Sequence, residues 1–212
     1  MNDRAFTLFT HEGVPSRRSF LIGAAAAGSS LVIGFSSFAE VAPGAPPPAP
    51  NPFSGYLQIS PDETVTIFSS QMDMGQGIYH GIATLVQEEL DADWSKVSVA
   101  GGFGNPALYG NLNVGGKFQF TGGSSGTASS WERYRRAGAA ARAMLVATAS
   151  EQWNVPIDEI STRNGIVSHP SGKSTTYGAL VPAAATRPVP ANVALKDGSK
   201  LEVRKRRNVA AL

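Results

Sequence analysis

The 212-residue sequence contains no cysteine. This absence excludes structural disulfides, thiolate zinc sites and iron–sulfur ligation by residues of this chain. Histidine is scarce as well: His11, His80 and His169 are too far apart in the sequence to form a spaced set of metal ligands. The sequence therefore predicts neither a disulfide-stabilised domain nor a metal site made from its own side chains.

A long hydrophobic run is also missing. The most apolar stretch, from about residue 20 to 35, is rich in alanine and glycine and falls short of the roughly 20 apolar residues that a membrane span needs. Arg17 and Arg18 precede it, and Ser37-Phe38-Ala39 places small residues where a signal peptidase cleaves. Residues 1–39 resemble a twin-arginine export signal, which predicts a periplasmic protein; an uncleaved N-terminal anchor is the alternative.

Positive charge is scarce outside the last residues. Residues 40–199 hold ten Lys/Arg and thirteen Asp/Glu, a net charge of −3, whereas residues 200–212 hold five Lys/Arg and one Glu, a net charge of +4. Residues 40–53 form a proline-rich linker, and we interpret residues 191–212 as an extended, solvated basic tail. No aromatic-interleaved basic patch accompanies this tail, so no nucleic-acid partner is expected.

Between residues 54 and 190 the patterns predict an α+β domain with a mixed sheet and two packed helices, with an α/β arrangement as the alternative. A disordered or helical signal segment is expected to precede it. Alternating β-rich stretches predict a hairpin over 55–70, and "KVSVAGG" predicts the next strand. Apolar spacing predicts a helix from Gly77 to about Leu90 and a second from about Thr127 to Trp153. A glycine-rich loop spans 101–126, and "NG" and "SG" turns separate short strands before a short helix over 175–185.

Two details of these helices are expectations that the structure tests. Glu88, Glu89 and Asp91 lie near the end of the first helix, against the dipole preference, so we expect the two glutamates to be solvated or paired surface residues rather than catalytic bases. In the second helix the residues at helical spacing predict an alanine-rich stripe that packs on a sheet, with the arginines mostly away from it. The stripe consists of Trp131, Tyr134, Gly138, Ala141 and Leu145, and the arginines are Arg133, Arg135, Arg136 and Arg142.

Two glycine-rich segments stand directly before the two helices. The first is Met74-Gly75-Gln76-Gly77, and the second is Thr121-Gly122-Gly123-Ser124-Ser125. A helix start offers unpaired backbone N–H groups, and glycine lets an anionic ligand approach them. Neither segment fits a P-loop or a dinucleotide GxGxxG pattern. Each alone is most often only a turn. Both together, with hydroxyl groups and the Gln76 amide, strengthen the hypothesis of a phosphate-containing ligand, and a pair of plain turns is the alternative.

These motifs also carry a resemblance to a known family. "QMDMGQGIYHGIATLVQEELDADWSKV" and "TGGSSGTASSWERYRRAGAAARAMLVATASEQWNVP" resemble the N-terminal part of xanthine dehydrogenase-like, molybdenum-cofactor-binding large subunits. The most similar branch contains isoquinoline 1-oxidoreductase beta subunits and membrane-associated aldehyde dehydrogenases. The resemblance covers about residues 15–210, and Asp73 departs from it by standing where the family commonly has glutamate.

The resemblance implies a cofactor and a set of residues. It implies that the two loops bind molybdopterin cytosine dinucleotide, shared with the remainder of the large subunit. The implied cofactor-binding residues are Met74, Gly75, Gln76, Gly77, Thr121, Gly122, Gly123, Ser124 and Ser125. The implied partners are that remainder, a small iron–sulfur subunit and a cytochrome c subunit, the last of which would also associate the protein with the membrane.

The implied function is that of a partial molybdopterin-binding domain in a periplasmic hydroxylase that oxidises aldehydes or N-heterocycles. The family's catalytic glutamate lies in a Gly-x-Gly-Glu setting that this sequence does not contain, so we expect no catalysis by this chain alone and expect it to be a fragment. A fragment of this kind is expected to expose apolar surface. The alternative is a secreted, non-catalytic module that binds a nucleotide-like ligand or a protein.

Overall fold

The computed structural model describes residues 31–33, 55–102, 104–201 and 210–211. Its strands are Leu31–Ile33 (β1), Leu57–Ile59 (β2), Val65–Ser69 (β3), Val97–Gly101 (β4), Ser161–Arg163 (β5), Ile166–Ser168 (β6), Ser174–Thr176 (β7) and Ala210–Ala211 (β8). Its α-helices are Ile78–Leu90 (α1), Pro106–Tyr109 (α2), Gly126–Trp153 (α3) and Tyr177–Ala184 (α4). Short 3₁₀ helices are Trp94–Lys96, Leu112–Val114, Ile157–Glu159 and Gly198–Lys200.

The larger sheet has the strand order β1-β2-β3-β4-β8. β2 and β3 form the predicted antiparallel hairpin, with Leu57 opposite Ile67. β4 lies parallel to β3, with Val65 opposite Val97, and α1 connects the two. A parallel pair needs a crossover connection of this kind, so the predicted strand–helix–strand unit and the predicted mixed sheet are confirmed. β5, β6 and β7 form a separate antiparallel sheet.

The core lies between the larger sheet and the helices. Strand residues point alternately inward, and the inward residues of β2, β3 and β4 are almost fully buried: Leu57, Ile59, Val65, Ile67, Val97 and Val99. α1 contributes Ile82 and Val86, and α3 contributes Tyr134 and Leu145, all with no exposed surface. The regularly spaced apolar side chains that predicted the two helices therefore face this core.

α1 and α3 lie side by side and run in the same direction. A Cβ atom on Gly126, the first residue of α3, would lie 3.3 Å from Cδ1 of Ile78, the first residue of α1. Further along, a Cβ atom on Gly138 would lie 2.5 Å from the carbonyl oxygen of Val86. Gly126 and Gly138 of α3 therefore pack against α1, whereas Tyr134 of the same stripe reaches the larger sheet and donates to the Phe68 carbonyl of β3 at 2.8 Å. The two N-termini lie at the same end.

Two residues of α3, Trp131 and Arg135, lie in environments that differ from the predicted ones. Trp131 is 44% exposed, so it is not a core residue, and its ring lies 5.3 Å from the guanidinium of Arg135. Arg135 itself is 6% exposed, although it was expected to face away from the packing stripe. Its burial has a cause on α1, because Glu89, also expected to be a surface residue, is fully buried beside it and forms an ion pair with it.

Outside the central domain, several expectations fall on residues that the structure does not describe. Of the predicted signal and linker, only residues 31–33 are described, and they pair with β2 as an edge strand, not as a helix. In the predicted basic tail, Lys196 donates from Nζ to the Glu88 carbonyl at the end of α1, and β8 pairs with β4. The segment 104–126 contains α2 and a 3₁₀ helix. Within the described ranges, no helix combines the length and apolarity required to cross a membrane.

Candidate functional site

The two glycine-rich segments line one open cleft of about 560 Å³ at the paired N-termini of α1 and α3. Seven of the nine predicted site residues border it: Met74, Gln76, Gly77, Thr121, Gly122, Ser124 and Ser125. Gly75 and Gly123 lie in the same loops but do not border the cleft. The fold therefore brings together two loops that are separated by more than 40 residues in the sequence.

Direct contacts join the loops. The backbone N–H of Met72 donates to the Thr121 hydroxyl oxygen at 2.8 Å. Behind this contact, the fully buried Gln71 donates from Nε2 to the Ser129 hydroxyl at 3.3 Å. Hydrogen bonds are directional, so these two bonds hold the loops in a defined position relative to each other across the cleft.

The first loop is organised by Asp73. Its carboxylate accepts hydrogen bonds from the backbone N–H groups of Gly75 (2.9 Å), Gly77 (3.4 Å) and Tyr79 (3.0 Å). The bond from Tyr79, together with those from Gly75 and Gly77, holds the pKa of Asp73 below its usual value. A carboxylate of the chain thus already occupies the amides of the α1 N-terminus that the sequence suggested for a phosphate.

Gln76 is folded back on the same loop. Its Oε1 accepts from the Met74 N–H at 2.6 Å, and its Nε2 donates to the Met72 carbonyl at 2.8 Å. The side chain is exposed at the edge of the cleft. An amide has two N–H hydrogens and an oxygen with two lone pairs, so one donor and one acceptor position are left for a ligand.

The second loop has a different backbone geometry. Gly123 and Ser124 both have positive φ, +58° and +53°. Ser125, the N-cap of α3, returns to φ −91° and makes no side-chain cap. A change from left-handed to right-handed backbone turns successive N–H groups toward one side, which is the geometry of anion-binding nests. The start of α3 is therefore open to a ligand in a way that the start of α1 is not.

The hydroxyl groups of the second loop divide into two kinds. Ser125 is 8% exposed, and its hydroxyl donates to the Gly122 carbonyl and accepts from Nδ2 of the buried Asn111, both at 2.8 Å. It braces the loop. Thr121 accepts from Met72 and keeps its own proton for donation, and Ser124 is exposed on the cleft. Thr121 and Ser124 are therefore the hydroxyl donors that face a ligand.

These residues fit a diphosphate-containing cofactor. Cβ atoms on Gly75, Gly77 and Gly123 would have no atom within 4 Å, so ligand atoms have room to approach the backbone there. Among the residues that the structure describes, no charged side chain borders the cleft. Negative charge on a ligand would therefore be stabilised by N–H and O–H dipoles and by the positive ends of two parallel helices, not by lysine or arginine.

Sequence reasoning missed several residues of this site. Ile78, Gly126 and Thr127, in the first turns of the two helices, also border the cleft. Asn111, fully buried, fixes Ser125 from a segment that the sequence marked only as a loop. Ile78, Gly126 and Thr127 could have been found from their positions in the first turns of the predicted helices. Nothing local in the sequence indicates the role of Asn111.

Two polar residues of α1, His80 and Glu89, lie outside the cleft. His80 is partly buried on α1, with its ring centroid 5.4 Å from that of Trp94, and it does not border the cleft. Glu89 is fully buried at the opposite end of α1 from the cleft, where it pairs with Arg135. The structure gives neither residue a position from which to act on a ligand in the cleft.

The fold and the paired loops define the class of protein. Residues 17–207 match the family model described as the molybdopterin cofactor-binding domain. Because this match covers most of the chain, the chain belongs to that family, and the predicted membership is confirmed. A molybdopterin cofactor is therefore the ligand class of the family domain to which these loops belong.

Individual relatives are longer proteins. The chain is 37% identical over 172 residues to the isoquinoline 1-oxidoreductase subunit beta of Brevundimonas diminuta, which covers 78% of this chain and 22% of that protein. It is 29% identical over 126 residues to the membrane-bound aldehyde dehydrogenase (pyrroloquinoline-quinone) of Gluconacetobacter polyoxogenes, which covers 59% of this chain and 15% of that protein. The chain thus spans less than a quarter of the length of these curated relatives.

One solved structure is similar over part of the chain. Quinoline 2-oxidoreductase from Pseudomonas putida 86 superposes with a TM-score of 0.46 and 22% sequence identity, over 65% of this chain and 17% of that chain.

Proposed function

We propose that this chain is the N-terminal cofactor-binding portion of a molybdenum hydroxylase large subunit that oxidises aldehydes or N-heterocycles. The observation that carries the proposal is the single cleft formed by Met74-Gly75-Gln76-Gly77 and Thr121-Gly122-Gly123-Ser124-Ser125 at two parallel helix starts. The names of the curated relatives, an isoquinoline oxidoreductase subunit and an aldehyde dehydrogenase, support the two substrate classes.

In this proposal the two loops bind different parts of the cofactor. The second loop binds the diphosphate, because the start of α3 has no side-chain cap and Thr121 and Ser124 present hydroxyl donors. The first loop binds the less charged part of the cofactor through Gln76, because Asp73 already accepts from its amides and would repel a phosphate. The bound cofactor supplies the molybdenum redox chemistry; this chain binds and orients it.

The cytosine dinucleotide form of the cofactor, the periplasmic location and the named partners are also proposals. The dinucleotide form contains a diphosphate, and the backbone N–H groups of the second loop are suited to bind it. Export is supported by the Arg17-Arg18 pattern and the following apolar run. An iron–sulfur partner is supported by the lack of cysteine, since the thiolates that ligate such a cluster must come from another polypeptide segment.

The test is co-expression of the chain with the remainder of its large subunit, followed by measurement of molybdenum and pterin in the purified complex. Thr121→Ala combined with Ser124→Ala removes the two hydroxyl donors of the second loop, and we expect a loss of both components. A matched control is Ser171→Ala combined with Thr186→Ala, which removes two exposed hydroxyl groups far along the chain from the cleft. Wild-type molybdenum and pterin in the cleft variant would contradict the proposal.

A further inference from the structure

A buried polar junction joins the two helices away from the cleft. It consists of Glu89 on α1, Arg135 on α3 and Lys196 in the segment that follows α4. The Arg135 guanidinium meets Oε1 of Glu89 through Nη2 at 2.6 Å and through Nε at 2.8 Å. The backbone N–H of Lys196 donates to Oε2 and Oε1 of the same carboxylate at 3.1 Å and 3.3 Å.

Lys196 extends the junction to the end of α1. Its Nζ donates to the Glu88 carbonyl at 2.7 Å and to the Asp91 carboxylate, while its carbonyl accepts from Nη2 of Arg135. The segment around Lys196 therefore lies across both helices and is bonded to each. Glu89 is fully buried and the Arg135 side chain is 8% exposed, so these bonds are shielded from water.

Directional bonds hold α1 and α3 at two places: the Met72–Thr121 and Gln71–Ser129 hydrogen bonds fix the loops at the cleft end, and the junction fixes the helices further along. Glu89 lies 11 residues after the start of α1, about 16 Å along the helix, and Arg135 lies 9 residues after the start of α3, about 14 Å along it. Over most of that length the helices meet through small and apolar side chains, such as Ile78 against Gly126. Apolar contacts are non-directional and tolerate sliding and rotation, whereas a forked Arg–carboxylate pair tolerates little.

We propose that Glu89, Arg135 and Lys196 are positioning residues for the cleft: by fixing the offset and rotation of α1 against α3, they set the separation of the two loops at the helix starts. None of the three borders the cleft. The significance of that separation for cofactor binding rests on the proposed function; the effect on the separation itself does not.

The distance between the loops can be measured directly, because the chain has no cysteine of its own. Cysteines introduced in the full chain at Met74 in the first loop and Ala128 in the first turn of α3, both exposed, carry a pair of spin labels. Pulsed electron–electron double resonance then measures the distribution of distances between the two spin labels. The unaltered junction is expected to give one narrow distribution.

The test variant is Glu89→Leu combined with Arg135→Met. Replacing a buried ion pair by apolar residues of similar size is often neutral or stabilising, so the melting temperature is expected to hold. Without the forked bonds, the distance distribution is expected to shift or broaden. The control is Glu132→Gln combined with Arg136→Gln, an exposed ion pair within α3 that does not bridge the helices and should leave the distribution unchanged.

An unchanged distribution in the test variant would overturn the positioning role, whatever the cofactor content. If the double variant lacks a helical circular dichroism signal, the same measurement on Arg135→Lys decides, because a single ammonium group cannot reproduce the two guanidinium N–H groups that reach Oε1 of Glu89. An unchanged distribution there overturns the role too. In the complex with the remainder of the subunit, a broadened distribution with wild-type pterin content would retain the positioning role and contradict the cleft as the cofactor site.

Discussion

Ser124 lies on the cleft with a φ of +53°, a conformation that costs a residue with a Cβ atom roughly 1–2 kcal/mol. Ser124→Gly removes that cost and the hydroxyl together, while glycine adds an entropic cost of about 0.5–1 kcal/mol. We expect the free energy of unfolding to stay level or rise by about 1 kcal/mol, while the pterin content of the assembled complex falls. Chemical unfolding and pterin analysis on the same preparation check both parts.

The matched control is Asn164→Gly, at φ +48° in a turn that does not border the cleft. It relieves a comparable backbone conformation, so pterin content should remain at the wild-type level. If Ser124→Gly also kept its pterin, the positive φ of Ser124 would be a property of the turn alone.

Asp73 leads to a prediction about pH. Hydrogen bonds, first from the Tyr79 N–H and then from Gly75 and Gly77, lower the pKa of its carboxyl group in the folded state. A lowered folded-state pKa gives stability that is present above the unfolded-state pKa of about 3.9 and is lost as the pH falls through the folded-state value. The wild type should therefore be more stable than Asp73→Asn at pH 7, and the difference should shrink on acidification below about pH 4.

Urea unfolding of both proteins between neutral and acid pH measures this difference. Asp62 and Asp197 also have lowered pKa values, because backbone and side-chain hydrogen bonds from Thr64 and Ser199 stabilise their carboxylates. Both residues are present in the two proteins, so their contributions cancel in the comparison. A stability difference that stayed constant with pH would show that the Asp73 charge does not contribute through its bonds to the loop.

At the scale of elements, Gly138 and Gly81 give opposite predictions for one substitution. A Cβ atom on Gly138 would lie 2.5 Å from the Val86 carbonyl oxygen, so Gly138→Ala forces α1 and α3 apart and should destabilise by about 1–3 kcal/mol. A Cβ atom on Gly81, within α1, would have no atom within 4 Å. Gly81→Ala should therefore stabilise by up to about 1 kcal/mol through helix propensity. Thermal unfolding of the two variants distinguishes them by sign.

The elements themselves were predictable because their signals are local. The predicted starts of the two helices, Gly77 and Thr127, each differ by one residue from the observed Ile78 and Gly126. The glycine positions before them also have the positive φ that their residue type favours, as at Gly123. Apolar periodicity and the positions of glycines depend only on near neighbours in the sequence, so the elements that they predict form in the folded structure as expected.

The environment of Arg135 was not predictable in that way. Its helical position suggests a surface residue, but its carboxylate partner Glu89 lies 46 residues earlier and its carbonyl partner Lys196 lies 61 residues later. The same holds for the cleft. The sequence identified both loops, but the capping of the first by Asp73 and the bracing of the second by Asn111 depend on tertiary geometry that no local pattern encodes.

At the scale of the whole molecule, apolar side chains flank the second loop. Large hydrophobic residues on the segment that leads into it are 40–54% exposed: Leu112, Val114, Phe118 and Phe120. On the first loop, Met72 and Met74 are 48% and 68% exposed. Clustered exposed apolar side chains of this kind mark surfaces that contact another polypeptide. In the proposed function, that polypeptide is the remainder of the large subunit.

Phe118→Gln combined with Phe120→Gln should therefore have different effects in the two contexts. The isolated chain should become more soluble with a small fall in melting temperature, because Phe118 and Phe120 are 54% and 40% exposed and part of each ring is already buried against the chain. The complex with the remainder of the subunit should weaken, since burial of an aromatic side chain contributes about 1.5–3 kcal/mol. That contribution corresponds to roughly a tenfold to hundredfold change in the dissociation constant for each ring.

The control for this pair is Ile157→Gln. Ile157 is 57% exposed, similar to Phe118, but it lies in the 3₁₀ helix after α3 and does not border the cleft. Its substitution should raise solubility slightly and leave the dissociation constant of the complex unchanged. If Ile157→Gln weakened the complex as much as the phenylalanine pair does, the contact surface would not be centred on the cleft. The cofactor would then be bound at the edge of the interface, and the two loops would have to exclude water from it without the remainder of the subunit.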